Sequence, residues 1–277
     1  MCRWMAYRGG AIPLDELLLK TKHSLVEQSL HSTMGATTTN GDGFGVGWFG
    51  KFETPGVYRS FAPAWNDANL RNLTAHIESP MFLAHVRAAT GTPIQSTNCH
   101  PFSHGRWLFV HNGMVAGFPQ VKRDLLLRIN PEFIPDIEGS TDSEILFMLA
   151  RTNGLDEDPV GALELMAGTV EEIGAKHGIA HPLQMTVCVA DGRRLVAARY
   201  SSMHESRTLF VSEHADAVKK QHPDNARLQY LSDDACAIVS EPIGLLTDMW
   251  DPIPESSAVI VDDGGRSTRD FIPRVPA

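Results

Sequence analysis

The sequence of 277 residues holds no apolar run approaching the roughly 20 residues that a membrane-spanning helix needs. Its opening stretch, MCRWMAYRGGAIPLDELLLK, lacks the continuous apolar segment of a secretory signal, so none is expected. Basic residues are also short: 24 Lys and Arg stand against 33 Asp and Glu, for a formal net charge of −9. The pI is near 5.7. The Lys and Arg are scattered rather than massed, which excludes the electrostatic footprint of a nucleic-acid-binding protein. Cysteine is scarce. Cys2, Cys99, Cys188 and Cys236 are far apart, with no CxxC pair and no zinc-type spacing. A cytoplasmic protein with reduced thiols and no membrane or nucleic-acid partner is expected.

Hydrophobic residues make up 43% of the chain, enough for a sizeable core in one large domain or two small ones. Strands are predicted at 3–8, 44–50, 57–62, 81–87, 107–111, 183–190, 194–200, 208–212, 235–240 and 257–263. Helices are predicted at 15–21, 24–31, 66–78, 120–129, 142–152 and 159–177; Asp158 is a good cap for the last and Pro159 a good first residue. There is no regular alternation of strand and helix, so a parallel sheet is not expected. Strand-rich ends around central helices indicate an α+β fold with mostly antiparallel sheets.

Several residues suit chemistry, and each has a plainer reading. If Met1 is removed, Cys2 carries a thiol and a free α-amine, with reference pKa values of about 8.5 and roughly 7.7–8.0. The amine is then close enough to neutrality to take the thiol proton, although a cysteine at position 2 is usually just part of a frayed terminus. In Asn40-Gly41-Asp42-Gly43-Phe44-Gly45-Val46-Gly47-Trp48 the glycines fit neither GxGxxG nor a P-loop. A hairpin-like turn is expected at Asn40-Gly41, and close approach of a backbone or ligand at Gly45 and Gly47. Arg87, at the end of the strand FLAHVR, could grip a carboxylate with two parallel hydrogen bonds, or form an ordinary strand-end ion pair. Asn112-Gly113 ends WLFVH; it offers an amide and an open backbone N–H for an oxyanion, or a simple turn. In GSTDSE (139–144), Ser140 or Thr141 reads as a helix cap, and Asp142 could hold an ammonium group. His100 and His104 could share one face if the segment were helical, but Pro101 intervenes, so a metal site there is not expected.

The set MCR, NGDGFGVGW, AHVRAAT, NCHPF, HNG and GSTDSE, in that order over residues 2–144, resembles class II glutamine amidotransferases, which are N-terminal-nucleophile hydrolases. A weaker likeness continues at Val239-Ser240-Glu241-Pro242. The resemblance implies a four-layer αββα sandwich in a single domain over 2–265, followed by an extended tail at 266–277. It implies Cys2 as nucleophile with its own amine as base, and Asn112 and Gly113 as the oxyanion hole. Arg87, helped by Thr90, would bind the α-carboxylate of a γ-glutamyl group, and Asp142 its α-amine. No metal or organic cofactor is implied. Ala88 and Gly91 stand where the synthase-linked branch has Trp and His, and few residues remain for a synthase domain. The wording is nearer the stand-alone branch, which includes the γ-glutamyl hydrolase of ergothioneine biosynthesis and the amidotransferase subunit of a glutathione-degrading complex. The expected activity is hydrolysis of a γ-glutamyl amide, in glutamine or a thiol conjugate such as glutathione, through a Cys2 thioester. The alternatives are a glutaminase subunit that passes ammonia to a separate synthase, and an inactive scaffold.

Overall fold

The computed structural model describes residues 2–34, 39–89, 91–215, 219–220, 223–224, 226–229, 231–245 and 247–276. Thr90 and Met1, both named above, lie outside the described residues. One sheet has seven strands: β1 (Arg3–Pro13), β2 (Phe44–Phe49), β3 (Gly56–Ser60), β4 (Glu78–Val86), β9 (Phe210–Ser212), β10 (Cys236–Val239) and β11 (Trp250–Pro252), ordered β11-β9-β10-β1-β4-β2-β3. The other has six: β5 (Phe102–His104), β6 (Trp107–Val115), β7 (Leu183–Ala190), β8 (Leu195–Ser201), β12 (Ser257–Asp262) and β13 (Gly265–Asp270), ordered β13-β12-β8-β7-β6-β5. The paired strands run antiparallel in both sheets.

Strand alternation sorts the apolar residues into three clusters that define four layers. Trp4, Ala6 and Leu83 from the first sheet meet Leu108, Val110, Ala197 and Val259 from the second in the gap between the sheets. The opposite faces carry helices. Met5, Tyr7, Phe82 and Val86 pack with Leu25 of α1 (Leu25–Leu30) and Leu70 of α2 (Ala68–His76). Phe109, Val187 and Val196 pack under α3 (Phe118–Leu126), α4 (Asp142–Thr152) and α5 (Pro159–Lys176). This is the αββα sandwich. Because both faces of each central strand are covered, β1 and β4 read as continuous apolar runs rather than alternating ones.

Local chemistry sets the helix starts. Thr141 caps α4 by accepting from the Glu144 N–H at 3.2 Å, and Asp158 caps α5 through the Gly161 N–H at 3.0 Å. The expected Asn40-Gly41 hairpin is absent. Asn40 is buried, its N–H donates to the Ser29 carbonyl at 2.7 Å, and β2 pairs with β3 and β4 rather than with a preceding strand. The expected tail at 266–277 is also corrected. Residues 265–270 form β13, paired to β12 from Ser257↔Asp270 to Asp262↔Gly265, so a boundary at 265 would cut a hairpin. Beyond it, Phe271 is buried in the core beneath the helices, and Arg274 is tied to Glu164 of α5. GRSTRD escaped sequence reading because an exposed edge strand has no apolar face to alternate.

Candidate active site

The antiparallel register Arg3↔Val86 brings the start of β1 and the end of β4 out at the same sheet end. Cys2 and Ala88 meet there. The Ala88 N–H donates to Cys2 Sγ at 3.4 Å, and the thiol faces the Ala88 carbonyl at 3.5 Å. Burial pushes the Cys2 thiol above its ordinary pKa, against opposing pulls from the Ala88 N–H, the positive N-terminus and Arg87; Asp142 adds to the rise. The thiol is therefore stored neutral at neutral pH and needs a base to become a nucleophile. The two neighbouring charges act on it in opposite senses, which places both Arg87 and Asp142 in electrostatic reach of the sulfur.

Arg87 is 3% exposed, yet it makes no ion pair among the described residues. Its Nη1 donates to the Asp42 carbonyl at 3.3 Å and its Nη2 to Thr92 Oγ1 at 2.6 Å. The strand-end ion pair considered above is thus not what this residue makes. Asp42 also braces the loop that carries Ala88: its N–H donates to the Arg87 carbonyl at 3.0 Å, and its Oδ2 accepts from the Ala89 N–H at 2.8 Å. Sequence reasoning missed both Asp42 and Thr92. Asp42 lies inside the glycine cluster, just after the expected Asn40-Gly41 turn, and nothing local marks Thr92.

Asp142 is the counterpart. It opens α4 and has no cationic partner among the described residues. Its Oδ2 accepts from the Val115 N–H at 2.8 Å, and its Oδ1 from the Ser143 N–H at 2.8 Å. A carboxylate offers about four lone-pair sites, so capacity for an ammonium remains. Val115 ends β6, two residues past Gly113, which ties the start of α4 to the Asn112-Gly113 segment.

Asn112-Gly113 is not a turn. Both residues lie within β6 and pair with Thr186 and Met185 of β7. A Cβ on Gly113 would lie 1.9 Å from the Gln184 carbonyl oxygen, so the glycine is required by the approach of the neighbouring strand. The Trp4 indole donates to Thr186 Oγ1 at 3.1 Å, and that hydroxyl donates to the Asn112 carbonyl at 3.4 Å. This chain crosses between the sheets and sets Asn112 against the residue two places after Cys2. The Asn112 side-chain amide has no hydrogen-bond partner among the described residues.

Three histidines wall the site. His85 packs on His100 with ring centroids 4.2 Å apart and planes tilted by 31°, and His111 meets Ser143 Oγ at 2.8 Å through Nδ1. Burial lowers all three, His85 to about 3, and keeps the rings neutral. Gly45 permits this wall: a Cβ there would lie 2.3 Å from the His100 carbonyl oxygen, so the approach expected at this glycine is made by backbone. His104 lies apart, paired with Asp136 at 3.1 Å. Among the described residues no group of His, Cys, Asp and Glu is arranged to hold a metal.

A family model described as glutamine amidotransferases class-II matches residues 18–270. The chain belongs to the class-II glutamine amidotransferases. It is 32% identical to the probable glutamine amidotransferase DUG3 of Saccharomyces cerevisiae, over 94% of this chain and 82% of that one. It is 30% identical to the γ-glutamyl-hercynylcysteine sulfoxide hydrolase of Mycobacterium tuberculosis, over 79% of this chain and 82% of the relative. Among solved structures, a class-II glutamine amidotransferase domain protein from Silicibacter pomeroyi superposes with a TM-score of 0.72 and 31% identity, covering 98% of this chain and all of that one. The glutamine phosphoribosylpyrophosphate amidotransferase of B. subtilis shares the fold at a TM-score of 0.62 and 14% identity; this chain spans 50% of its length. No helix among the described residues of this family member is long and apolar enough to cross a membrane.

Proposed function

We propose that this amidotransferase hydrolyses the γ-amide bond of a γ-glutamyl compound through a thioester on Cys2, once Met1 has been removed. One observation carries the reading: beside the Cys2 thiol, and among the described residues, lie a buried guanidinium without a protein carboxylate and a carboxylate without a protein cation. Leaving a buried charge unpaired is expensive, so such a pair suits a ligand with the opposite charges. The α-carboxylate and α-ammonium of a glutamyl group are those charges, with Arg87 and Asp142 as their partners. Thr90, adjoining the Arg87 loop, is proposed to assist at the carboxylate.

In this scheme the free amine of Cys2 takes the thiol proton and Sγ attacks the δ-carbonyl carbon. The oxyanion is held by the Asn112 side-chain amide and the Gly113 N–H. As the C–N bond breaks, the ammonium of Cys2 returns its proton to the departing nitrogen, which leaves as ammonia or an amine. Water, deprotonated by the same amine, then attacks the γ-glutamyl thioester and releases the acid and the thiol. The Mycobacterium tuberculosis relative is named for hydrolysing such a γ-glutamyl compound, which supports this substrate class.

The test is glutamate release from glutamine, glutathione and other γ-glutamyl conjugates, using protein whose intact mass shows Met1 removed, with Cys2→Ala as control. Release by the processed protein and none by the variant is expected. Processed protein that frees no glutamate from any of these compounds, with or without an added ammonia-accepting synthase, would leave an inactive scaffold as the better reading.

A further inference from the structure

Cys2 precedes the first residue of β1, so the sheet ladder does not hold it. The next side chain does. Arg3 is 2% exposed and folds back on its own strand, so that Nη1 donates to the Cys2 carbonyl at 3.0 Å. Its Nε meets Glu241 Oε2 at 2.8 Å, and its Nη2 donates to Ser32 Oγ at 2.5 Å. Glu241 is 1% exposed and follows β10, the strand beside β1. Its Oε2 also accepts from Ser32 Oγ at 2.8 Å and the Met34 N–H at 3.2 Å. Its Oε1 accepts from the Thr33 N–H at 2.8 Å and Thr33 Oγ1 at 2.6 Å, and meets His23 Nε2 at 2.8 Å. One carboxylate therefore fixes the guanidinium from one side and the 32–34 segment from the other.

We infer that Arg3 and Glu241 are positioning residues for the nucleophile: Glu241 fixes the Arg3 guanidinium, and Arg3 fixes the Cys2 carbonyl. That bond holds the Cys2–Arg3 peptide plane, and with it the α-carbon that carries both the α-amine and the thiol. This rests on the proposed role of Cys2 as nucleophile with its own amine as base. In a terminal residue with no preceding chain, the carbonyl is the one backbone handle left, because the N–H side is the reactive amine. A misplacement of about 1 Å at such a site is enough to cost roughly 10²-fold in rate. Neither residue touches substrate in this scheme, so both act through Cys2.

The experiment uses Arg3→Lys, Glu241→Gln and the apolar pair Arg3→Met/Glu241→Met, each checked by intact mass for loss of Met1. Two readouts are taken beside thermal stability. One is kcat and KM for γ-glutamyl hydrolysis; the other is the pH profile of Cys2 alkylation by iodoacetamide, followed by mass spectrometry. Arg3→Lys keeps the charge without the fork, and is expected to lower kcat about 10²-fold with KM nearly unchanged. Its alkylation profile is expected to shift to higher pH as the amine loses its alignment. Single loss of Glu241 strands a buried guanidinium, so Glu241→Gln is also expected to lose stability. The Met/Met pair removes both charges and is expected to recover stability but not rate. Recovery of wild-type kcat and alkylation profile in the Met/Met protein would overturn the inference, as would a folded Arg3→Lys protein with both readouts unchanged. Alkylation does not depend on the substrate assignment. A profile that shifts in protein hydrolysing no γ-glutamyl compound would refute the proposed function and leave the positioning role standing.

Discussion

The two ends of the chain are each anchored on a buried glutamate, and the two anchors differ in what surrounds them. At the N-terminal end, Glu241 faces Arg3, which is 2% exposed, in a space closed by Ser32 and Thr33. At the C-terminal end, Glu164 of α5 faces Arg269 and Arg274, which are about half exposed. Glu164 Oε1 also accepts from the Ile272 N–H at 3.2 Å, and its carbonyl from the Arg274 N–H at 3.1 Å. Ion pairs open to water are screened and contribute little, whereas a buried charge that loses its partner is strongly destabilising. The C-terminal strap is therefore held mainly by Phe271 in the core, and the N-terminal cysteine mainly by a charge network. On the proposed function, one end carries chemistry and the other carries stability.

The sharpest separation of the two ends comes from Cys2→Ala, which is expected to abolish glutamate release while leaving the melting temperature near wild type. Cys2→Ser should still bind substrate but turn over far more slowly, because a hydroxyl is the weaker nucleophile at neutral pH. The complementary change, Phe271→Ala, is expected to cost roughly 3–5 kcal/mol in denaturant unfolding with kcat unchanged. A loss of kcat in that variant, measured well below its melting point, would tie the strap to the site and dissolve the contrast.

Gly113→Ala tests the proposed oxyanion segment. Its Cβ would strike the Gln184 carbonyl, so β6 must shift against β7 and kcat is expected to fall by about 10²–10³, the usual cost of a lost oxyanion donor. Unaltered kinetics would show that the strand does not need its present position.

The carboxylates are separated by pH. Burial works to raise Glu241, but the hydrogen bonds from Thr33, Arg3 and Ser32 outweigh it and hold its carboxyl down at about 2. A depressed carboxylate contributes stability that is present above its unfolded value, about 4.3, and lost as pH falls toward 2, in all about 3 kcal/mol. Unfolding curves at pH 5, 4 and 3 should converge between wild type and Glu241→Gln as the pH drops. A gap of constant size across that range would mean the carboxylate is not held low. The smallest effect is expected for Glu164→Gln, about 1 kcal/mol or less, with activity unchanged.

Much of this was legible in the chain. The α+β class, most strand and helix positions and the caps Thr141 and Asp158 follow from local pattern and capping chemistry. The family is legible because its motifs keep their wording and order over residues 2–144. Less legible were features that depend on partners distant in sequence. Asn112-Gly113 has the composition of a turn, yet lies in a strand because β7 pairs with it. Glu241 showed only a faint likeness, since its meaning lies with Arg3, 238 positions away. The strand β13 and the docking of Phe271 were invisible because a polar edge strand and an isolated aromatic carry no periodic signal.

By itself, the sequence determined the kinds of group available: a cysteine at position 2, an arginine, an aspartate and an Asn-Gly pair. Residue type and order along the chain are enough for that, because protonation, nucleophilicity and hydrogen-bonding capacity are properties of side chains. Only the tertiary structure decided which of those charges went unmatched. Among the described residues, Arg87 and Asp142 have no counter-ions because the fold places each beside hydroxyls and backbone groups, while Arg3, three residues into the chain, receives a glutamate from 238 positions away. Pairing is a matter of distance in space, and folding alone sets that distance.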